Sequence, residues 1–371
     1  MRTRFTLFLL MSAVVAAAQL PPITVEWSAV RQYVPGPSAH VTRDVVTGEY
    51  LWAEYNDFQG AGDEVAYPFL ADGTDVSPLF PERFNVGSLD HLIDVQLHNG
   101  VAYCLMFHLA VGNSGGVPFY WHLNNAPEGT GLTMTNASVQ PEASEMGFDL
   151  LVTDDAAYAC GWSDTNYPDS AIARLVKTDL QCDLLWSATW DDPSLARKGF
   201  SSVAALGDSM ICAALPHLVI FDSASGSLIN AVDVSTGLTS VTGDATCMAT
   251  GGRIYWVLAD ALGLRVGYHD PGIGANVINA VSNEPMRLGR IAVDQYGHIW
   301  VTSTATNGTD WTESDDEGRW HRFDPELIAI DNGVLHASID DMCLVNGKIS
   351  FTGIFDPSLT TAYLITGTPQ P

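Results

Sequence analysis

Seven tight turns rich in Gly, Asp and Asn recur at intervals of 44 to 55 residues. Each lies between two short apolar strands, and no stretch carries an apolar pattern of helical period. These three observations predict an all-β fold, a seven-bladed β-propeller with four-stranded blades. A lone four-stranded sheet cannot bury both faces. Sheets ranged around an axis bury them against one another and leave only short edges.

The turns fall at Thr47-Gly48, Asn99-Gly100, Asp154-Asp155, Gly207-Asp208, Gly251-Gly252, Tyr296-Gly297 and Asn346-Gly347. Asn-Gly between alternating apolar residues is the strongest short hairpin signal. The second strand of each unit follows its turn, as in Val101-Ala102-Tyr103-Cys104, Ile254-Tyr255-Trp256-Val257 and Ile299-Trp300-Val301. Third strands end on an acidic turn, as in Leu218–Asp222, Arg265–Asp270 and Trp320–Asp324. A fourth strand follows in some units, such as Leu228–Val232. The last unit offers strands around Met342–Val345, Lys348–Gly353 and Thr361–Thr366 and lacks a fourth. The segment Ile23–Trp27 has no unit of its own, so it is expected to serve as the outer strand of the last blade.

Residues 1–18 read as a secretory signal peptide. Arg2 and Arg4 precede the apolar run Phe5–Ala18, which ends on Ala16-Ala17-Ala18. Residues 19–371 are then one propeller domain, expected outside the cytoplasm (extracellular or periplasmic) as a monomer without membrane insertion. The net charge of −27 excludes nucleic-acid binding through a basic footprint. Three lysines, Lys177, Lys198 and Lys348, form no polybasic patch. The acids run through all seven units, which predicts an even spread of charge. Six cysteines lie far apart with no CxxC pair, which excludes a clustered zinc site. Most sit in apolar strands and are expected to be buried thiols, although an oxidising compartment allows disulfides.

The segment Arg290-Ile291-Ala292-Val293-Asp294-Gln295-Tyr296-Gly297-His298-Ile299-Trp300-Val301-Thr302 resembles a repeat of secreted bacterial propellers of the NHL and streptogramin-lyase-like group. The rest of the chain resembles them in layout. The resemblance implies a fold; it does not imply an activity.

Six positions before each turn stand Thr42, Asp94, Asp149, Ser202, Thr246, Ile291 and Asp341. These residues are expected to crowd the mouth of a central channel. Asp94, Asp149 and Asp341 would offer oxygen ligands to Ca²⁺ or hold a polar ligand. Alternatively, such side chains bond to nearby backbone N–H groups at the strand start. Trp162, Tyr167 and Trp311, on loops rich in carboxylates and amides, are candidate sugar-stacking residues. No nucleophile elbow, HExxH pattern or phosphate loop is present. The expected function is therefore a secreted binding or scaffold module for a polysaccharide or an extracellular protein. The alternative is a propeller enzyme, a polysaccharide lyase or glycoside hydrolase, acting at the channel mouth.

Overall fold

A computed structural model describes residues 23–32, 39–56, 63–76, 82–84, 90–109, 119–127, 144–164, 172–192, 199–236, 238, 244–260, 262–305, 317–335, 337–355 and 361–371. Residues 1–18, which the sequence reads as a signal peptide, lie outside them. Every regular element among the described residues is a β-strand, and no helix there is long and apolar enough to cross a membrane.

Strand β1 (Ile23–Gln32) comes first. Sheet 1 holds β2 (Ala39–Arg43), β3 (Tyr50–Asn56), β4 (Asp63–Phe69) and β5 (Glu82–Phe84). Sheet 2 holds β6 (Asp90–His98), β7 (Val101–Leu109) and β8 (Phe119–Pro127). Sheet 3 is β9 (Ser144–Val152), β10 (Ala157–Asp164), β11 (Ile172–Thr178) and β12 (Leu184–Trp190). Sheet 4 is β13 (Ser202–Leu206), β14 (Ser209–Ala214), β15 (His217–Asp222) and β16 (Leu228–Asp233). Sheet 5 is β17 (Asp244–Thr250), β18 (Arg253–Asp260), β19 (Gly263–Asp270) and β20 (Ala275–Ser282). Sheet 6 is β21 (Met286–Val293), β22 (Ile299–Ala305), β23 (Glu317–Phe323) and β24 (Ala329–Leu335). Sheet 7 is β25 (Asp341–Val345), β26 (Lys348–Phe355) and β27 (Thr361–Pro369), with β1 beside β27.

All strand pairs within the sheets are antiparallel, and consecutive sheets stand side by side as in a β-propeller. The first strand of each sheet packs against the first strand of the next, and β25 packs on β2. β1 pairs with β27 from Ile23↔Pro369 to Gln32↔Thr361. Trp27 of β1 reaches across to sheet 1, with ring centroids 5.1 Å from Tyr50 and 5.6 Å from Phe69.

The hairpin turns follow from local chemistry. Asn99 and Gly100 adopt φ of 53° and 72°, and Asn346 and Gly347 adopt 50° and 69°. These are the left-handed values that a two-residue hairpin requires and that Asn-Gly tolerates. The acidic turns close differently: the Oδ1 of Asp179, Asp222, Asp270 and Asp324 accepts backbone N–H groups two to four residues on. Part of the chain's acidity is thus spent on turn geometry.

The core is divided among the gaps between neighbouring sheets. Sheets 3 and 4 enclose Tyr158, Cys160, Phe200, Cys212 and Phe221. Sheets 6 and 7 enclose Trp300, Trp320, Ile349, Phe351 and Tyr363. Sheets 7 and 1 enclose Leu364, Tyr50, Trp52 and Phe69. One position of the second strand recurs through all seven sheets as Trp52, Cys104, Cys160, Cys212, Trp256, Trp300 and Phe351, each fully buried. The cysteines therefore act as small apolar residues in a packing position. All six in the chain are free thiols, and burial pushes the Cys247 and Cys343 thiols up to about 12.

Trp300 is the most heavily engaged of these residues. Its Nε1 donates to Asp294 Oδ2 at 2.9 Å, its ring lies 5.5 Å from Trp320, and Arg322 sits over it. Trp300→Ala is expected to cost about 3–5 kcal/mol in urea denaturation. A loss below about 1.5 kcal/mol would mean the gap between sheets 6 and 7 collapses around the deletion.

Candidate functional site

The first strands of all seven sheets line a central cavity of about 490 Å³. Within it Asp94, Asp149 and Asp341 converge, as the turn alignment predicts. What they converge on is Arg290. Its Nη2 lies 2.8 Å from Asp94 Oδ1, its Nη1 2.7 Å from Asp149 Oδ1, and its Nε 2.9 Å from Asp341 Oδ1.

The second oxygen of each carboxylate is committed to the following sheet. Asp94 Oδ2 accepts the Leu150 N–H at 3.1 Å. Asp149 Oδ2 accepts the Val203 N–H at 2.9 Å and the Ser202 hydroxyl at 2.6 Å. Asp341 Oδ2 accepts the Val41 N–H at 3.0 Å, which carries the pattern from sheet 7 to sheet 1. Two of the polar residues at the equivalent positions do the same. Thr42 Oγ1 accepts the Leu97 N–H, and Ser202 Oγ accepts the Cys247 N–H. Side chains of one inner strand thus bond the backbone of the next.

The sixth sheet departs from the alignment. The turn spacing puts Ile291 at the mouth, but the side chain aimed inward is that of Arg290. A β-bulge causes the shift: Leu288 pairs with Ser303 and Ile291 with Val301, leaving Gly289 and Arg290 opposite Thr302. A Cβ on Gly289 would lie 2.2 Å from Thr302 Oγ1, so the bulge needs glycine there. The Thr302 hydroxyl accepts the Arg290 N–H at 2.8 Å and holds the bulge. Register breaks of the same kind lie at Leu92/Asp94 and opposite Cys160/Gly161, next to Asp149. Three inner strands are therefore kinked where they deliver the clustered charges. The Gly-Arg pair before an apolar strand was the available sequence signal, but its meaning depends on a register that the sequence does not print.

The electrostatics fit a closed cluster. Burial raises the Asp94 carboxyl well above the usual carboxylate range, opposed by Arg290 and reinforced by Asp149 and Asp341. Burial disfavours the Arg290 charge, but the three carboxylates outweigh it and hold the guanidinium well above its ordinary value. His40 is buried beside the cluster, with Nδ1 3.8 Å from Asp341 Oδ2. Burial pushes it down to about 4 against the pull of Asp341, and Arg290 adds to the lowering. The imidazole is therefore neutral at neutral pH. Among the described residues, no three or more His, Cys, Asp and Glu side chains are arranged to hold a metal ion.

Of the aromatic candidates, Trp162 does not line this cavity. Trp162 is half-buried on β10, and its Cβ is what a side chain at Gly199 would meet at 3.0 Å. Tyr167 and Trp311 lie outside the described residues.

No protein-family model matches the chain, and no curated protein matches it. Among solved structures it is similar to BamB from Moraxella catarrhalis, at 10% sequence identity and a TM-score of 0.47, over 92% of this chain and 99% of that one.

Proposed function

We propose that the protein is a secreted, seven-bladed β-propeller serving as a binding or scaffold module, its ring completed by β1 and locked at its centre by the Arg290 cluster. The observation that carries this reading is the full internal commitment of the central carboxylates. Each has one oxygen on Arg290 and the other on the backbone of a neighbouring sheet. A general acid, a general base or a cation site needs carboxylate lone pairs that face a ligand. Here those lone pairs hold sheets together, so Arg290 takes the part that the sequence assigns to Ca²⁺. Function then belongs to the exposed faces, with a polysaccharide or an extracellular protein as the ligand.

Thermal melts of the mature protein test this. Calcium is expected to leave the melting temperature unchanged, whereas a polysaccharide or protein ligand that binds only the folded state raises it by mass action. A calcium shift that disappears in Asp94→Asn/Asp341→Asn would return the cluster to cation binding. Polysaccharide cleavage products accompanying a shift would replace the module with an enzyme.

A further inference from the structure

Among the described residues, the large exposed apolar side chains gather towards one end of the sheets. In every sheet the first-to-second strand turn lies at the end opposite the Arg290 cluster, and in sheets 1, 3, 4, 5 and 6 the connection from third to fourth strand lies at that same end, because the strands alternate in direction. Bonds between these turns tie that end together. Ser223 N donates to Asp208 O at 2.9 Å, Asn346 Nδ2 to Val45 O at 2.6 Å, and Arg253 Nη1 to Pro325 O at 2.7 Å. Exposed aliphatics stand in or just after the third-to-fourth turn of four consecutive sheets: Ile273 and Ile328 in the turns of sheets 5 and 6, and Leu185 and Ile229 at the second position of the outer strands β12 and β16 in sheets 3 and 4. Ile273 is 78% exposed and Ile328 66%. Val45, on the first turn of sheet 1, is exposed and also lines the central cavity, so the cavity reaches this end. Among the described residues, Leu262 is the one large exposed hydrophobic on a turn at the other end. Scattered exposed aliphatics are ordinary, but their recurrence on one face marks an interaction surface.

The charges on this face select the partner. Asp72, Asp154, Asp183, Asp208 and Glu326 are exposed on the same turns. The bases there are engaged. Lys177 Nζ donates to Ser223 O, Arg253 faces Asp270 and Glu326, Arg43 bonds Gly48 O and Val345 O, and Lys348 bonds Glu26 and Thr368. A second copy of a chain with net charge −27 would bring like charges together.

We infer that this turn face, with Leu185, Ile229, Ile273 and Ile328 amid exposed carboxylates, docks a partner protein through a basic segment bearing aliphatic side chains. This inference rests on the binding-module reading and gives it a face and a partner chemistry. The aliphatic groups supply burial, and the carboxylates supply steering and rejection of acidic surfaces.

The test is fluorescence anisotropy with a short labelled peptide of alternating Leu and Lys, against Ser/Lys and Leu/Glu peptides of equal length. The Leu/Lys peptide is expected to bind, more weakly as salt rises, and the other two to bind at least about tenfold more weakly. The fourfold variant Leu185→Ser/Ile229→Ser/Ile273→Ser/Ile328→Ser, with its melting temperature checked, is expected to lose at least about tenfold in affinity, and Leu262→Ser to lose none. Equal binding of the Ser/Lys peptide, an unaffected fourfold variant or no Leu/Lys binding would each overturn the inference. So would a dimer in light scattering that the fourfold variant dissolves, since the face would then belong to a second copy. If the peptide fails while another ligand raises the melting temperature, the inference falls and the binding-module reading stands.

Discussion

Arg290→Gln is expected to lower the stability of this protein by about 3–5 kcal/mol at neutral pH, the usual cost of breaking a buried ion pair from one side. The variant leaves Asp94, Asp149 and Asp341, all buried, without the guanidinium they share. Their bonds to Leu150, Val203 and Val41 compensate only in part. The pH dependence has a definite sign. Asp94 titrates well above the ordinary carboxylate value when folded, first through burial, with Asp149 and Asp341 adding to it and Arg290 opposing. A raised carboxyl pKa means the folded state keeps its proton where the unfolded chain has lost it. Asp94's contribution to stability therefore falls as pH rises above the unfolded value near 3.8. Without Arg290 the opposing pull is gone, and Asp94 of the variant binds its proton more readily still. The difference between wild type and Arg290→Gln is thus expected to be large at pH 7 and to shrink towards pH 4, as urea titrations at several pH values would measure. A difference that stays constant with pH would mean the guanidinium contributes packing rather than charge. One below about 1 kcal/mol at pH 7 would remove the cluster's role as the central lock.

Removing residues 19–32 is expected to abolish cooperative folding rather than trim a tail. The deletion strips β27 of its outer partner along the whole of β1. It also withdraws Ile23 from the core between sheets 6 and 7, and Trp27 from Tyr50 and Phe69 of sheet 1. Gly73 lies against the Trp27 ring, where a Cβ would approach within 2.5 Å, so sheet 1 is shaped around this side chain. The C-terminus is tied in beside it, since Gln370 Nε2 donates to Thr24 Oγ1 and Gln370 O accepts from Arg322 of sheet 6. These losses together approach the 5–15 kcal/mol that holds a typical domain folded. The measurement is circular dichroism with a thermal melt of the truncated chain. A cooperative transition within a few degrees of the full chain would show that sheets 1 and 7 hold together without β1. The shorter deletion 19–22 is expected to change nothing, which separates the strand from the residues before it.

The strands were the most legible part of the fold, because each rests on short-range chemistry. Asn346-Gly347 demands a two-residue hairpin whatever surrounds it, and Ile299-Trp300-Val301 is too apolar to be anything but buried. The pairing of Ile23–Trp27 with the last unit was legible by elimination, since that unit has three strands and this segment had no other partner. The convergence of Asp94, Asp149 and Asp341 was likewise readable, because a fixed offset from equivalent turns puts residues at equivalent heights. The aromatic candidates gave no such reading. Stacking depends on which face a ring presents, and Trp162 is half-buried against the chain near Gly199.

What the sequence determined by itself is the set of β-hairpins, their repetition, and the burial of the apolar strands that follow the turns. These follow from turn residues and period-two burial, which act over a few residues. The tertiary structure alone decided what fills the channel mouth. A one-residue bulge at Gly289 exchanges Ile291 for Arg290, and that exchange sets a guanidinium among three carboxylates drawn from strands up to 247 positions apart in the chain. The cluster is a balance of desolvation against pairing, and that balance exists only once distant strands bring each carboxylate within 3 Å of the guanidinium.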